Sequence, residues 1–127
     1  MPGVLTSSSN FARPWIKKLI FEIKKSNSIH VFNINNKFNS LIDSIEIYSF
    51  FYHILKFKKI NKTICFCASD PIRLTALIKI VKNFYNSSSA VKIKNINIHT
   101  PIFSNRYIED IFKYKTSSVK DIILRFL

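Results

Sequence analysis

The chain has 127 residues, with 20 Lys and Arg against 7 Asp and Glu, and a formal net charge of +13. A chain of this length holds one domain, and its 47% hydrophobic and 14% aromatic content excludes intrinsic disorder despite the charge. The single glycine excludes Gly-rich phosphate loops and dinucleotide fingerprints, and two cysteines cannot build a disulfide framework or a four-Cys zinc site.

Residues 1–14 read as an extended basic lead-in and 15–127 as a single α/β domain. The N-terminus lacks the charged region and apolar core of a secretory signal. Ser7, Ser8, Ser9 and Arg13 precede the first acid, Glu22, as in a mitochondrial presequence, although Pro2 and Pro14 oppose the helix a presequence needs. Trp15 to Lys25 alternates apolar and basic groups, and fits a short helix or a strand. Ser26 to Ser28 is a turn, and the β-branched and aromatic run Ile29 to Ile34 is a strand.

Asn35 and Asn36 are helix N-cap residues. The row Phe38, Leu41, Ile42, Ile45, Tyr48, Tyr52 and Leu55 then predicts a helix to about Lys58. A second row (Ile47, Phe50, Phe51, Ile54, Phe57) places this helix between layers, or between the domain and a partner. The longest uncharged apolar stretch there, Ile47 to Leu55, is too short to span a membrane. Thr63 to Ala68 predicts a strand buried on both faces. Asp70 caps the next helix with Pro71 at its first position; Ile72, Ala76, Leu77, Ile80, Val81 and Phe84 form its apolar face, and Asn86 to Ser89 end it. Val91 to Ile98 is a strand with a phase change, read as a bulge or an exposed edge. Ser104 or Asn105 caps a helix carrying Tyr107, Ile108, Ile111 and Phe112, and a last short helix covers Ser118 to Phe126 or extends the previous one. This alternation predicts an α/β fold, a Rossmann-like or flavodoxin-like parallel sheet with flanking helices, and one that is incomplete.

Cys65 and Cys67 read as small core residues rather than metal ligands. His30, His53 and His99 stand in no catalytic spacing with the carboxylates. Asp43, Glu46, Glu109 and Asp110 read as solvated helix faces. No enzymatic activity, cofactor, metal or small-molecule substrate is therefore expected. The remaining constellation is basic groups interleaved with aromatics. Arg13, Lys17, Lys18, Lys24 and Lys25 form one cluster. Lys56, Lys58, Lys59 and Lys62 form a second, and Arg106, Lys113, Lys115, Lys120 and Arg125 a third. A surface so basic points to a polyanion, with structured RNA first and an anionic membrane second.

Trp15-Ile16-Lys17-Lys18, Leu19-Ile20-Phe21 and Lys25 through Ile29-His30-Val31-Phe32 to Ile34 follow one another, then Phe38 to Lys58, Thr63 to Ser69 and Pro71 to Phe84. In that order the chain resembles the N-terminal half of the ribosomal protein S-two family. The family's paired glycines, and the glycine after its buried strand, are missing. The resemblance implies a structural constituent of a small ribosomal subunit, mitochondrial given the composition favouring Ile, Asn, Lys and Phe. Its partners would be ribosomal RNA, neighbouring subunit proteins and a separate chain supplying the C-terminal half. RNA contacts are expected at Arg13, Lys17, Lys18, Lys24, Lys25, Arg106, Lys113 and Lys115, and His30 is expected in the core or at a strand-end hydrogen bond. The rival expectation is an accessory subunit of an organellar inner-membrane complex, supported by the aromatic content and the wide apolar helix.

Overall fold

The structure is a computed structural model that describes residues 3–5, 14–57, 61–96 and 100–127. Strand β1 (Gly3–Leu5) leads to helix α1 (Pro14–Lys24), strand β2 (Ile29–Phe32), the short β3 (Lys37–Phe38) and β4 (Leu41–Asp43). Helix α2 (Ser44–Ile54), β5 (Ile72–Arg73), α3 (Leu74–Tyr85), β6 (Val91–Lys94), α4 (Arg106–Phe112) and α5 (Val119–Phe126) follow. β1 pairs in parallel with β4, β2 in parallel with β6, and β3 antiparallel with β5. The α/β class, with parallel strands and flanking helices, is the one expected.

The first ambiguous stretch is a helix. Ile16, Leu19, Ile20 and Ile23 are buried at helical spacing, and Pro14 occupies the first position, where a missing N–H costs nothing. α1 ends at Ser26, in the left-handed region at φ 55°. Ser26 N–H donates to the Ile23 carbonyl and Asn27 N–H to that of Glu22. α3 closes the same way at Asn86, φ 49°, with Ser87 N–H donating to Lys82. Glycine usually fills this position, and a residue with a Cβ there costs about 1 kcal/mol. With its one glycine in β1, the chain uses Ser and Asn instead. The two closing turns meet: the Ser87 hydroxyl donates to the Ile23 carbonyl at 2.5 Å, so α1 and α3 lie side by side.

The long helix expected from Phe38 is corrected. Leu41, Ile42 and Asp43 are buried as β4, and Asp43, not Asn35 or Asn36, is the N-cap, its Oδ1 accepting from Glu46 N–H at 2.7 Å. Pairing with β1 outweighs the helical spacing of the apolar residues. Of the two rows expected on α2, Phe50 is buried and Ile47 and Ile54 are half-buried, while Ile45, Tyr48, Tyr52 and Leu55 of the first row and Phe51 and Phe57 of the second are exposed. Asp70 does not cap α3. It sits exposed at φ 49°, and Arg73 is the N-cap without a side-chain bond. The expected bond is displaced because Ile72–Arg73 pairs with β3 before the helix begins.

Thr63 to Ala68 is not a ladder strand buried on both faces. Cys65 is exposed, Cys67 and Ala68 are buried, and pairing starts only at the end of the run. Ala68 N–H donates to the Leu41 carbonyl at 2.8 Å, and Ser69 makes a parallel bridge to Ser118. Upstream, side chains replace the ladder. The Asn105 amide accepts from Cys67 N–H at 3.2 Å and donates to the Cys67 carbonyl at 2.6 Å. The Asn39 amide engages Phe103 the same way, at 2.9 and 2.7 Å. Each amide presents one acceptor and one donor, as a neighbouring strand would.

Asp43 and Glu46 are not solvated; they are 6% and 5% exposed. Arg125 of α5, placed above in a basic cluster, reaches Asp43 at 2.8 Å and Glu46 at 3.2 Å, and Tyr114 donates to Glu46 at 2.8 Å. A main apolar core spans β1, β2, β4 and helices α1, α3 and α5. A second cluster joins α2 to α4 through Phe50, Ile108 and Phe112. Removing Arg125 leaves two buried carboxylates without their cation. Because Arg125 is partly exposed, Arg125→Met should lower the unfolding free energy by about 2–4 kcal/mol in urea denaturation. Adding Asp43→Asn and Glu46→Gln to it should recover more than half of that loss. A triple variant weaker than the single one would show that charge pairing is not what holds α5.

Candidate functional site

A cavity of about 890 Å³ lies between α1 and β2. One stripe of α1 forms a wall: Trp15, Lys18, Leu19 and Glu22, spaced so that they stack on the same side. Opposite runs β2, whose Ile29 and Val31 are buried while His30 and Phe32 are exposed. Phe38 and Leu74 contribute further apolar lining. Trp15 meets Phe38 edge-on with ring centroids 5.8 Å apart. Asn33, Asn36 and Thr100 add polar groups around the carboxyl end of β2, with the Asn36 amide donating to the Thr100 hydroxyl at 3.1 Å. The volume and the mix of apolar surface with a few polar groups are those of a small-molecule site. It runs along β2 and reaches the carboxyl end of that strand at Asn33, the end at which α/β folds hold ligands. His30 was expected in the core or at a strand-end hydrogen bond; it is exposed and lines this cavity.

Of the expected RNA contacts, Lys18, Lys24 and Lys25 are exposed on or just after α1, and Lys17 is half-buried. Lys25 lies over the Phe21 ring at 4.2 Å and Lys24 over Tyr85 at 5.4 Å. Arg106, Lys113 and Lys115 are exposed at and beyond α4. The two groups are not on one element: α1 packs on α3 in the main core, and α4 on α2 in the second cluster. Arg13 lies outside the described residues. Lys18 alone among these residues lines the cavity. Sequence reading missed the cavity because the wall from α1 becomes visible only once Trp15 to Lys24 is known to be helical.

The cysteines divide. Cys67 is buried beside Asn105, and burial, with Cys65 adding to it, pushes its thiol from 9.0 up to about 12. Among the described residues, no three His, Cys, Asp or Glu side chains converge as metal ligands.

Neither a family model nor a curated protein sequence matches the chain. Solved structures do. The UDP-glucose 4-epimerase of Thermotoga maritima superposes over 98% of this chain with a TM-score of 0.75 at 8% identity. The UDP-N-acetylglucosamine 4-epimerase of Bacillus cereus does so over 98%, with a TM-score of 0.71 at 12% identity. The NADP-bound GDP-mannoheptose C4 reductase of Campylobacter jejuni does so over 98%, with a TM-score of 0.73 at 11% identity. The chain spans 41, 44 and 46% of their respective lengths. These matches establish a Rossmann-like fold over part of a larger architecture. They also correct the expectation of no enzymatic activity, in that the fold is one shared with epimerases and reductases.

The dinucleotide of such folds needs close backbone approach to its pyrophosphate, and a carboxylate after the second strand for its ribose. Between β1 and α1 this sequence reads Thr6-Ser7-Ser8-Ser9-Asn10-Phe11-Ala12-Arg13, without glycine, and no acid stands between Glu22 and Asp43. At the end of β2, Asn33 uses its Oδ1 to accept Ile96 N–H at 2.8 Å. The residues present do not fit a dinucleotide held in that manner.

The thiolate is the reactive form, so Cys67 should be inert in the folded chain. A water-soluble disulfide reagent at neutral pH should titrate one thiol, Cys65, before denaturation and two after it. The raised value also sets a sign: the contribution of protonated Cys67 to stability is full below pH 9.0 and is lost as pH rises towards about 12. Two fast thiols in the folded chain would contradict the burial of Cys67.

Proposed function

We propose that the chain is a nucleotide-binding α/β domain of epimerase and reductase type, and that the cavity between α1 and β2 takes a single nucleotide unit. The observation that carries this reading is that cavity. Trp15, Phe32 and Phe38 offer ring surface for a base, and Lys18 supplies a cation for a phosphate. The fold supports it, because the Campylobacter reductase it resembles has NADP bound. The missing glycines and carboxylate limit the ligand to less than a dinucleotide.

Trp15 is the only tryptophan and lines the cavity, so its fluorescence reports occupancy. Titration with AMP, ADP and NADP should give saturable quenching by the mononucleotides. Lys18→Glu should weaken that binding about tenfold, as expected for losing one charge-assisted contact. Unchanged Trp15 emission at millimolar nucleotide would overturn the reading.

A second reading is favoured by the charge. The exposed Lys18, Lys24 and Lys25, with Arg106, Lys113 and Lys115 and a net charge of +13, suit docking on small-subunit ribosomal RNA beside neighbouring proteins, in a mitochondrion. Co-sedimentation with the subunit that collapses on RNase treatment would favour it over the nucleotide reading.

A further inference from the structure

α2 is apolar on both sides, and only one side is covered. Phe50 is buried, and Ile47, His53 and Ile54 are half-buried against the domain. Ile45, Tyr48, Phe51, Tyr52 and Leu55 are 60, 72, 60, 64 and 79% exposed. At 100° per residue these five fall within an arc of about 120°, so they form one continuous strip. Five contiguous large side chains exceed the scattered apolar exposure of a normal surface. The only carboxylate on the helix, Glu46, is turned inward to Arg125 and Tyr114. No charged side chain therefore interrupts the strip.

We propose that this strip docks the protein on an anionic membrane surface, with α2 lying in the headgroup layer. Charge complementarity identifies the occupant. The strip ends at exposed Lys56, and the chain continues Lys58, Lys59 and Lys62. The protein carries 20 basic groups against seven acidic ones, of which Asp43 and Glu46 are buried. An uncharged apolar face that ends at a lysine, on a strongly basic protein, suits a helix that lies in an anionic interface. Tyr48 and Tyr52 suit that depth, with an apolar ring and a hydroxyl that stays in the headgroups. A second copy is disfavoured by repulsion between two bodies of charge +13. RNA would satisfy the lysines but would leave the apolar side chains of the strip in water. The mode is surface docking, since no helix among the described residues is long and apolar enough to cross a membrane.

The test is co-sedimentation of the full chain with vesicles of phosphatidylcholine, with and without phosphatidylglycerol, at low and high salt. The protein should pellet with the anionic vesicles only, and less at high salt. Tyr52→Glu with Leu55→Glu should lower the bound fraction about 100-fold while circular dichroism stays unchanged, because both side chains are exposed. Binding that survives the double substitution would mean that charge alone attracts the vesicles, and would overturn the proposal. So would absence of vesicle binding together with a dimer, seen by light scattering, that the same substitution dissociates.

Discussion

The pairing of Arg125 with Asp43 and Glu46 joins the first part of the chain to its last helix, and much of the fold depends on it. Asp43 ends β4 and caps α2, and Glu46 lies in the first turn of that helix. Two carboxylates so close and so buried repel one another unless a cation stands between them. Arg125 supplies it from 79 residues downstream of Glu46, through Nη2, while its Nε holds Asp43 at 2.9 Å. The carboxylates in turn hold Arg125 firmly charged, their pairing outweighing the opposing effect of burial. Burial, reinforced by Glu46, likewise keeps Tyr114 protonated well beyond the usual phenol range. One ionic joint thus places α5 against β4, turns the only carboxylate of α2 inward, and leaves the opposite side of α2 without charge.

Backbone pairing among the described strands is short, and buried amides extend it. Asn39 and Asn105 bind the chain at Phe103 and Cys67 as a strand would, and bring the segment before Ala68 into register with Leu41. Asn105 also donates to Thr116 at 2.8 Å, tying α4 to the approach of α5. These bonds leave no buried side-chain nitrogen or oxygen unpaired among the described residues. The same economy of glycine appears at Ser26, Asn33, Asp70, Asn86 and Lys113, all in the left-handed region.

Local pattern carried the helices furthest. The apolar face of α3 was legible from spacing, as were the presence of α5 and the Asn86 stop. The failures have one cause, which is long-range pairing overriding local preference. Leu41-Ile42-Asp43 belongs to a helical row until β1 lies beside it. Asp70 is a good cap until Ile72 pairs with Phe38. Asp43, Glu46 and Arg125 look like surface charges because their partners are distant in sequence. The cavity was illegible for the same reason: it exists only where a stripe of α1 faces β2. The glycine-free segment before α1, by contrast, was visible at once, and it separates sharing a fold with dinucleotide enzymes from holding a dinucleotide as they do.

The proposed nucleotide binding rests on the space between α1 and β2. Heteronuclear chemical-shift mapping of the isotope-labelled full chain, titrated with ADP, tests it most directly. It predicts that perturbations concentrate at Trp15, Lys18, His30, Asn33 and Thr100, in a dose-dependent and saturable way. Perturbations confined to Arg106 and the exposed lysines that follow α4, or none at all, would contradict it.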